Sequence, residues 1–291
     1  MLLESFKTNW DFELLDTGDG YRLEKWGDVI LTRPDPQIIW PKSLPEEEWQ
    51  KSWAIFKAGG KDEKGQWEIK KTLPKPWHIK FQNVKLLPKL SPFKHTGIFA
   101  EQAAQWEWML KQISNPLPKP KILNLFAYTG GATMVLAKAG CQVTHVDASK
   151  PSITWANENY TLNNLPKDSV RWMLDDAVKF VKRELKRGAS YDGIIMDPPA
   201  FGHSPSGKTW KFNNDIPGLL TDCINLLTPS ALFLLINAYA TNSSALALQN
   251  LLEDKIKNRP GKVEFGELCL EQKSSRKIST GIFTRWSAEG K

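Results

Sequence analysis

Residues 121–131 read Lys121-Ile122-Leu123-Asn124-Leu125-Phe126-Ala127-Tyr128-Thr129-Gly130-Gly131, a short apolar run that stops at a glycine pair. Lys121 to Phe126 has the length of a strand and the composition of one covered on both faces. Adjacent glycines allow a turn dihedrals closed to other residues, and let a ligand approach the backbone closely. The third glycine of a GxGxxG loop is missing, which disfavours a dinucleotide pyrophosphate cradle and makes a NAD-dependent enzyme a remote reading. Taken alone, the pair also fits a plain strand-to-helix turn.

Working outward, strand and helix patterns alternate. Ala132 to Ala139 is helical and stops at Gly140, Gln142 to Val146 is a strand, and Pro151 to Asn163 is helical. Val170 to Leu174 is a strand, Ala177 to Arg187 a helix ended by Gly188, and Tyr191 to Met196 a strand. Pro217 to Leu227 reads as a helix and Ala231 to Ile236 as a nearly pure apolar strand, while Leu268 to Glu271 and Ile278 to Trp286 look like a closing antiparallel pair. Strands alternating with helices imply an α/β fold, a doubly wound and mostly parallel sheet with an antiparallel C-terminal strand. In such sheets ligands sit outside the carboxyl ends of the strands.

Three more of those ends carry acids. The second strand ends in Asp147, where a carboxylate can accept both hydroxyls of a ribose. The alternative is a helix N-cap, for which Ser149 before Pro151 is the better candidate. The third ends in Asp175-Asp176-Ala177, where a carboxylate could take an adenine amino group and the Ala177 amide the ring edge. The fourth ends in Asp197-Pro198-Pro199-Ala200-Phe201-Gly202, a turn made rigid by its prolines, whose carboxylate and carbonyl could hold a planar base edge. Each acid alone fits a strand-end cap; a glycine turn plus acids at three successive ends is hard to explain as capping.

At these residues the chain resembles a family. NLFAYTGG (124–131), HVDAS (145–149), DDA (175–177) and DPPAF (197–201) look like the class I S-adenosylmethionine (SAM)-dependent methyltransferases. More narrowly they are similar to the bacterial 23S ribosomal RNA methyltransferases of the cytosine-5 large-subunit type and their relatives. Gly97-Ile98-Phe99-Ala100-Glu101-Gln102 resembles the family's segment before the sheet, which closes over the methionine end, and Trp155 to Asn159 also matches. The resemblance spans residues 95 to 240. It implies a Rossmann-like methyltransferase sheet with SAM as cofactor, S-adenosylhomocysteine as product and no metal. It assigns Phe99, Gln102, Asn124, Ala148, Ser149 and Asn159 to cofactor binding, with the loop Phe126, Ala127, Tyr128, Thr129, Gly130 and Gly131 wrapping the methionine moiety and Asp147 on the ribose. It gives Asp176 and Ala177 to the adenine. Asp197, also a cofactor contact, would face the methyl group and its target together with Pro198, Pro199 and Phe201.

One departure bears on chemistry. Cytosine-5 transfer needs a covalent nucleophile, which the family carries just after the fifth strand; here that segment reads Ile236-Asn237-Ala238-Tyr239-Ala240-Thr241. A thiolate therefore has no evident source, and the expected acceptor is a ring or exocyclic nitrogen, or an oxygen. DPPAF also lacks an aromatic directly after its second proline, as DPPY enzymes have; Phe201 comes one place late. The following stretch, Gly202 to Phe212, reads as a loop, either a mobile lid or a static surface segment, with Lys208 and Lys211 suited to phosphates. His203 could act as a base, against the blander reading of an exposed loop histidine.

The N-terminal third differs in character. Seven of the 13 tryptophans lie in the first 77 residues. Short strand patterns occur at Tyr21 to Trp26, Asp28 to Thr32 (a tight hairpin at Gly27), Gln37 to Trp40, Trp67 to Lys70 and Trp77 to Phe81, with a helix expected from Pro45 through Trp49, Trp53 and Phe56. We read residues 1–92 as a β-rich domain, which resembles the family's substrate-side domain in kind, and 93–291 as the catalytic domain, with the indoles serving as core more than as platform. Between Lys61 and Lys94 there are nine lysines against three acids, with Trp67, Trp77, Phe81 and Phe93 interleaved, a combination that can neutralise phosphates and stack bases. The formal charge of +7 permits a polyanionic partner. RNA, ribosomal RNA foremost, is the expected partner. A small-molecule or protein acceptor, or a non-catalytic RNA-binding protein on the same scaffold, are the alternatives. Without a secretory signal pattern or a run of about 20 apolar residues, the cytoplasm is expected and a membrane is not. Three scattered cysteines suggest reduced thiols, and a monomer and a homodimer both remain open.

Overall fold

The computed structural model describes residues 1–59, 64–113, 119–203 and 209–288. The first strand is β1 (Leu2–Glu4). β2 (Phe12–Gly18), β3 (Tyr21–Trp26) and β4 (Val29–Pro34) follow as an antiparallel meander. Asp19 and Gly20 both adopt positive φ in the first connection, 52° and 78°, the requirement of a tight primed turn. Gly27, at 65°, makes the second, where the hairpin is expected. α1 (Glu46–Trp49), β5 (Ala54–Ala58) and β6 (Gly65–Ile69) complete a five-stranded sheet in the order β2-β3-β4-β5-β6, and β7 (Ile79–Phe81) pairs with β8 (Val84–Leu86).

Two expectations for this region are corrected. Gln37 to Trp40 is not a strand, because its carbonyls cap the β2–β3 turn: Gly20 N donates to Ile38 O (2.9 Å) and Asp19 N to Trp40 O (2.8 Å). The helix from Pro45 stops at Trp49 rather than running to Phe56, because Trp53 N donates to Ile30 O (2.7 Å) and draws the chain into β5. Trp10, Trp26, Trp49 and Trp77 are buried, whereas Trp40, Trp53 and Trp67 are half-buried. Phe12 lies 4.7 Å from Trp26 and Trp10 lies 5.7 Å from Phe81, ring to ring. Most of the indoles therefore build core, and the buried ones at 26, 49 and 77 hand their N–H to Glu24, Asp16 and the Trp26 carbonyl.

A 3-10 turn at Ala100–Gln102 leads into α2 (Ala103–Gln112). Then come β9 (Lys121–Leu125), α3 (Gly131–Lys138), β10 (Gln142–Asp147), α4 (Lys150–Leu162), β11 (Val170–Leu174), α5 (Ala177–Lys186) and β12 (Gly193–Met196). A small hairpin, β13 (Phe201–His203) and β14 (Thr209–Lys211), precedes α6 (Phe212–Asn225), β15 (Phe233–Ala238), α7 (Ala245–Ile256), β16 (Lys262–Glu271) and β17 (Lys277–Ser287). The eight-stranded sheet runs β1-β16-β17-β15-β12-β9-β10-β11. β15, β12, β9, β10 and β11 are mutually parallel, and β17 is antiparallel to β15. β15 is buried at all six positions, as a central strand covered on both faces must be.

Within the Gly202–Phe212 stretch, Gly202 and His203 belong to β13, Thr209 to Lys211 form β14 and Phe212 starts α6, while the expected loop residues 204–208, including Lys208, lie outside the described residues. α6 begins five residues before Pro217, because Phe212, Ile216, Leu219, Leu220 and Cys223 present a buried stripe at helical spacing that outweighs the missing proline donor.

The chain divides into two compact units. One takes residues 1–4, 104–269 and 279 onward; the other takes 5–103 and 270–278. One division between them falls after Ala103. The segment 93–103 belongs to the β-rich unit: Arg33 donates to Lys94 O (3.0 Å), Lys89 N donates to Thr96 O (3.0 Å), and Phe93 forms an antiparallel bridge with Lys64. Residues 270–278 join the same unit because the buried Gln272 side chain bonds Asp16 (3.0 Å) and Thr17 (2.7 Å).

Candidate active site

The register of the parallel strands decides which residues meet. Leu125 of β9 lies opposite Val146 of β10 and Met196 of β12, and Asp147 lies opposite Leu174 of β11. Phe126, Asp147, Asp175 and Asp197 therefore leave the sheet at one level, on strands about 4.8 Å apart. Ala127 N donates to Val146 O (3.1 Å), Asp175 N to Asp147 O (3.0 Å) and Asp197 N to Leu125 O (3.4 Å). The chain order reverses at β9, between β10 and β12, which is the topological switch point where such sheets open a crevice.

The loop after β9 is bent more sharply than its glycines suggest. Phe126 (φ 56°) and Tyr128 (φ 50°) are left-handed along with Gly130 (84°). Non-glycine residues hold that conformation only where their surroundings impose it. Asn159, fully buried on α4, donates Nδ2 to Thr129 O at 2.9 Å. Beneath the loop, Asn124 Nδ2 donates to Thr133 Oγ1 (3.0 Å), which lies 2.9 Å from His145 Nδ1. Burial holds the His145 ring at a pKa of about 3. Asn124 and Asn159 thus face inward, into the support of the loop. Thr133 and His145 share that work and carried no signal in the spacing of the chain. The glycine pair also has a packing reason: a Cβ on Gly131 would lie 2.7 Å from Trp106 Cζ2, on α2.

Asp147 is half-buried. Its Oδ2 accepts from Tyr128 N (2.8 Å) and its Oδ1 from Ser149 N (2.8 Å). Burial raises its pKa, against the pull of those two amides. Each oxygen keeps a further lone pair for a hydroxyl donor. Ser149 caps α4 by accepting from Ser152 N, and Ala148 is exposed. Tyr128, its ring 6.5 Å from Trp155, has its phenol pushed up to about 12 by burial and then by the Asp147 charge.

At the third strand end, Asp176 Oδ1 caps α5 through Lys179 N (2.9 Å), and Asp175 pairs with Arg183. One Asp176 oxygen is thereby spent on capping. The Ala177 amide stands at the first helical position, where the helix offers no partner. At the fourth end, Asp197 is half-buried, Pro198 buried and Pro199 exposed. Phe201 is 54% exposed. Phe99 and Gln102 belong to the β-rich unit; Phe99 stacks on His95 at 4.9 Å and Gln102 N donates to Phe99 O (3.1 Å).

These residues fit an adenosine bearing a methionine tail: a carboxylate with open lone pairs at the second strand end, an unpaired helix-start amide at the third, and a rigid backbone loop between them. Among the described residues no group of three His, Cys, Asp or Glu side chains is arranged to hold a metal, and no helix is long and apolar enough to cross a membrane.

Comparison with known proteins agrees with the geometry. Residues 60–272 match the family described as S-adenosylmethionine-dependent methyltransferase. The crystal structure of the SAM-dependent methyltransferase from Agrobacterium tumefaciens superimposes with a TM-score of 0.93 at 38% identity, covering 99% of this chain and 94% of that one. The ribosomal RNA large subunit methyltransferase K/L of Syntrophotalea carbinolica is 32% identical over 165 residues, 56% of this chain but 22% of that protein. The ribosomal RNA large subunit methyltransferase I of Salmonella arizonae is 29% identical over 192 residues, 65% of this chain and 46% of that one. The chain thus spans less than half the length of these two curated relatives. A strand-end site suited to adenosine, on a sheet of this order and within a match that covers most of the sequence, leads to one assignment: the chain belongs to the S-adenosylmethionine-dependent methyltransferase family, whose members take their methyl group from SAM.

Proposed function

We propose that this protein methylates RNA, ribosomal RNA foremost, in the cytoplasm, by direct displacement at the sulfonium methyl carbon. The observation that carries the RNA reading is the basic, aromatic character of the β-rich unit. Lys64, Lys70, Lys71, Lys75 and Lys80 are exposed there, and the Lys71 ammonium sits 3.8 Å over the ring of half-buried Trp53. Cations beside stacking surfaces suit a phosphate backbone with accessible bases. The names of the ribosomal RNA methyltransferase relatives support the same reading.

The cofactor loop and Asp147 would hold the methionine and ribose ends, with Asp176 and the Ala177 amide on the adenine. Asp197 with Pro198 and Pro199 would fix the acceptor. SAM supplies the methyl group; the protein's contribution is to align the acceptor with it and exclude water. The acceptor atom is a nitrogen or an oxygen. All three cysteines are buried, burial pushes the Cys141 thiol up to about 12 and the Cys223 thiol higher still, and none lies on β15 or just after it.

The test is mass spectrometry of nucleosides from each RNA fraction of a deletion strain and its parent. A methylated nucleoside missing from the deletion strain and restored by the wild-type gene, but not by an Asp197→Ala variant, is the expected result. Identical nucleosides in every fraction would overturn the RNA assignment and favour a small-molecule or protein acceptor.

A further inference from the structure

The aromatic residue that braces the Asp197 turn is not the one the sequence points to. In the β13–β14 hairpin, Phe201 pairs with Lys211 and Gly202 with Trp210. Paired residues share a face and successive residues alternate, so Phe201 and Trp210 lie on opposite faces. The Trp210 indole donates to the Pro199 carbonyl at 2.7 Å. Its ring lies 5.3 Å from that of Phe126, tilted by 53°. One half-buried side chain thus touches both the turn after β12 and the loop after β9.

Both contacts fall where the backbone needs help. Pro198 and Pro199 lack N–H groups, so the turn cannot brace itself through their amides. Phe126 is held left-handed, which costs energy unless its surroundings fix it.

We infer that Trp210 is a positioning residue that couples the cofactor loop to the Asp197-Pro198-Pro199 turn, so that filling the loop sets the turn for the acceptor. The inference rests on reading those two segments as the cofactor and acceptor sides of one site. The hydrogen bond governs the turn and the ring contact governs the loop. The two can therefore be separated: Trp210→Phe keeps a ring and deletes the N–H, while Trp210→Leu deletes both.

The experiment uses the full chain labelled with 15N, the Trp210 indole signal being the one absent from Trp210→Phe. Addition of S-adenosylhomocysteine should shift that signal. Trp210→Phe should bind S-adenosylhomocysteine within about twofold of wild type by calorimetry. With RNA from the deletion strain as acceptor, it should turn over about tenfold more slowly at unchanged KM for SAM. Trp210→Leu should also lose about fivefold or more in S-adenosylhomocysteine affinity. An indole signal that stays put at saturating S-adenosylhomocysteine, or a Trp210→Phe turnover equal to wild type, overturns the coupling. If wild type binds no S-adenosylhomocysteine, the cofactor reading falls and the coupling with it. If it binds but methylates no RNA, the RNA reading alone falls, and the indole shift still decides the role of Trp210.

Discussion

Asn159, in the middle of α4 and fully buried, donates its Nδ2 to the carbonyl of Thr129 at 2.9 Å. The bond ties the loop after β9 to a residue 30 positions further along the chain, and its donor is fully buried. Removing it takes a hydrogen bond from a buried carbonyl, at a cost of about 1–3 kcal/mol. Asn159→Ala should lower unfolding stability by about that much and weaken S-adenosylhomocysteine binding several-fold. Asn159→Asp should be worse, since a carboxylate would face the carbonyl. Chemical denaturation and calorimetry check both effects; an Asn159→Ala protein with wild-type affinity would show that the loop holds its shape without the helix.

The proposed ribose contact of Asp147 predicts a definite direction for the pH dependence of affinity. Burial raises its carboxyl above the ordinary aspartate value of 3.8, and ribose hydroxyls would donate to the ionised form. Affinity for S-adenosylhomocysteine should be level near neutral pH and fall as pH drops through that raised value, approaching tenfold per pH unit. Asp147→Asn should be weaker throughout and show a flatter profile. A wild-type affinity unchanged down to pH 4 would remove Asp147 from the ribose.

His145 acts on stability with the opposite sign of charge. The hydroxyl of Thr133, which accepts from Asn124, shares a hydrogen bond of 2.9 Å with His145 Nδ1. Burial holds the ring neutral down to a pKa of about 3, from 6.5 when unfolded. Below pH 6.5 the unfolded chain takes up a proton that the folded ring refuses. The stability from this residue is therefore complete above about 6.5 and is lost on the way to 3, at up to about 1.4 kcal/mol per pH unit. His95, also held at about 3 by burial and then by Arg33, adds a second such slope in the β-rich unit. His145→Gln should remove one of the two, measured by denaturant unfolding between pH 7 and 4. An unaltered slope would mean that the folded ring titrates normally.

Much of this was legible in advance, and the reason is local. The run Lys121 to Leu125, the glycine pair and the acids at 147, 176 and 197 are contiguous signals, and a parallel sheet places successive strand ends side by side whatever lies between. What was illegible depended on pairs distant in the chain. Phe126 and Tyr128 carry no mark of a left-handed backbone. Trp210 looks like any loop aromatic until the hairpin register turns it toward Pro199 and leaves Phe201 on the other face. Pro45 to Phe56 has helical spacing, but the Trp53 amide finds Ile30 across the sheet, and tertiary pairing wins over local pattern. Asn124 and Asn159 bond within the loop and its support, and a motif cannot say whether a side chain faces a ligand or holds the loop that does.

Gly131 separates those two possibilities for the loop itself. As the first residue of α3, it could gain about 1 kcal/mol from alanine by helix propensity. Its Cβ would, however, stand 2.7 Å from Cζ2 and 3.2 Å from Cη2 of Trp106, which is 3% exposed and has little room to retreat. Overpacking of this kind costs about 1–3 kcal/mol, so Gly131→Ala should destabilise the protein on balance. In a Trp106→Phe background the clash is gone, and the same substitution should become neutral or mildly stabilising. Denaturation of the four proteins of this double-mutant cycle measures the coupling directly. If Gly131→Ala instead leaves stability intact in both backgrounds while S-adenosylhomocysteine affinity drops, the glycine serves the approach of the ligand and not the packing of Trp106.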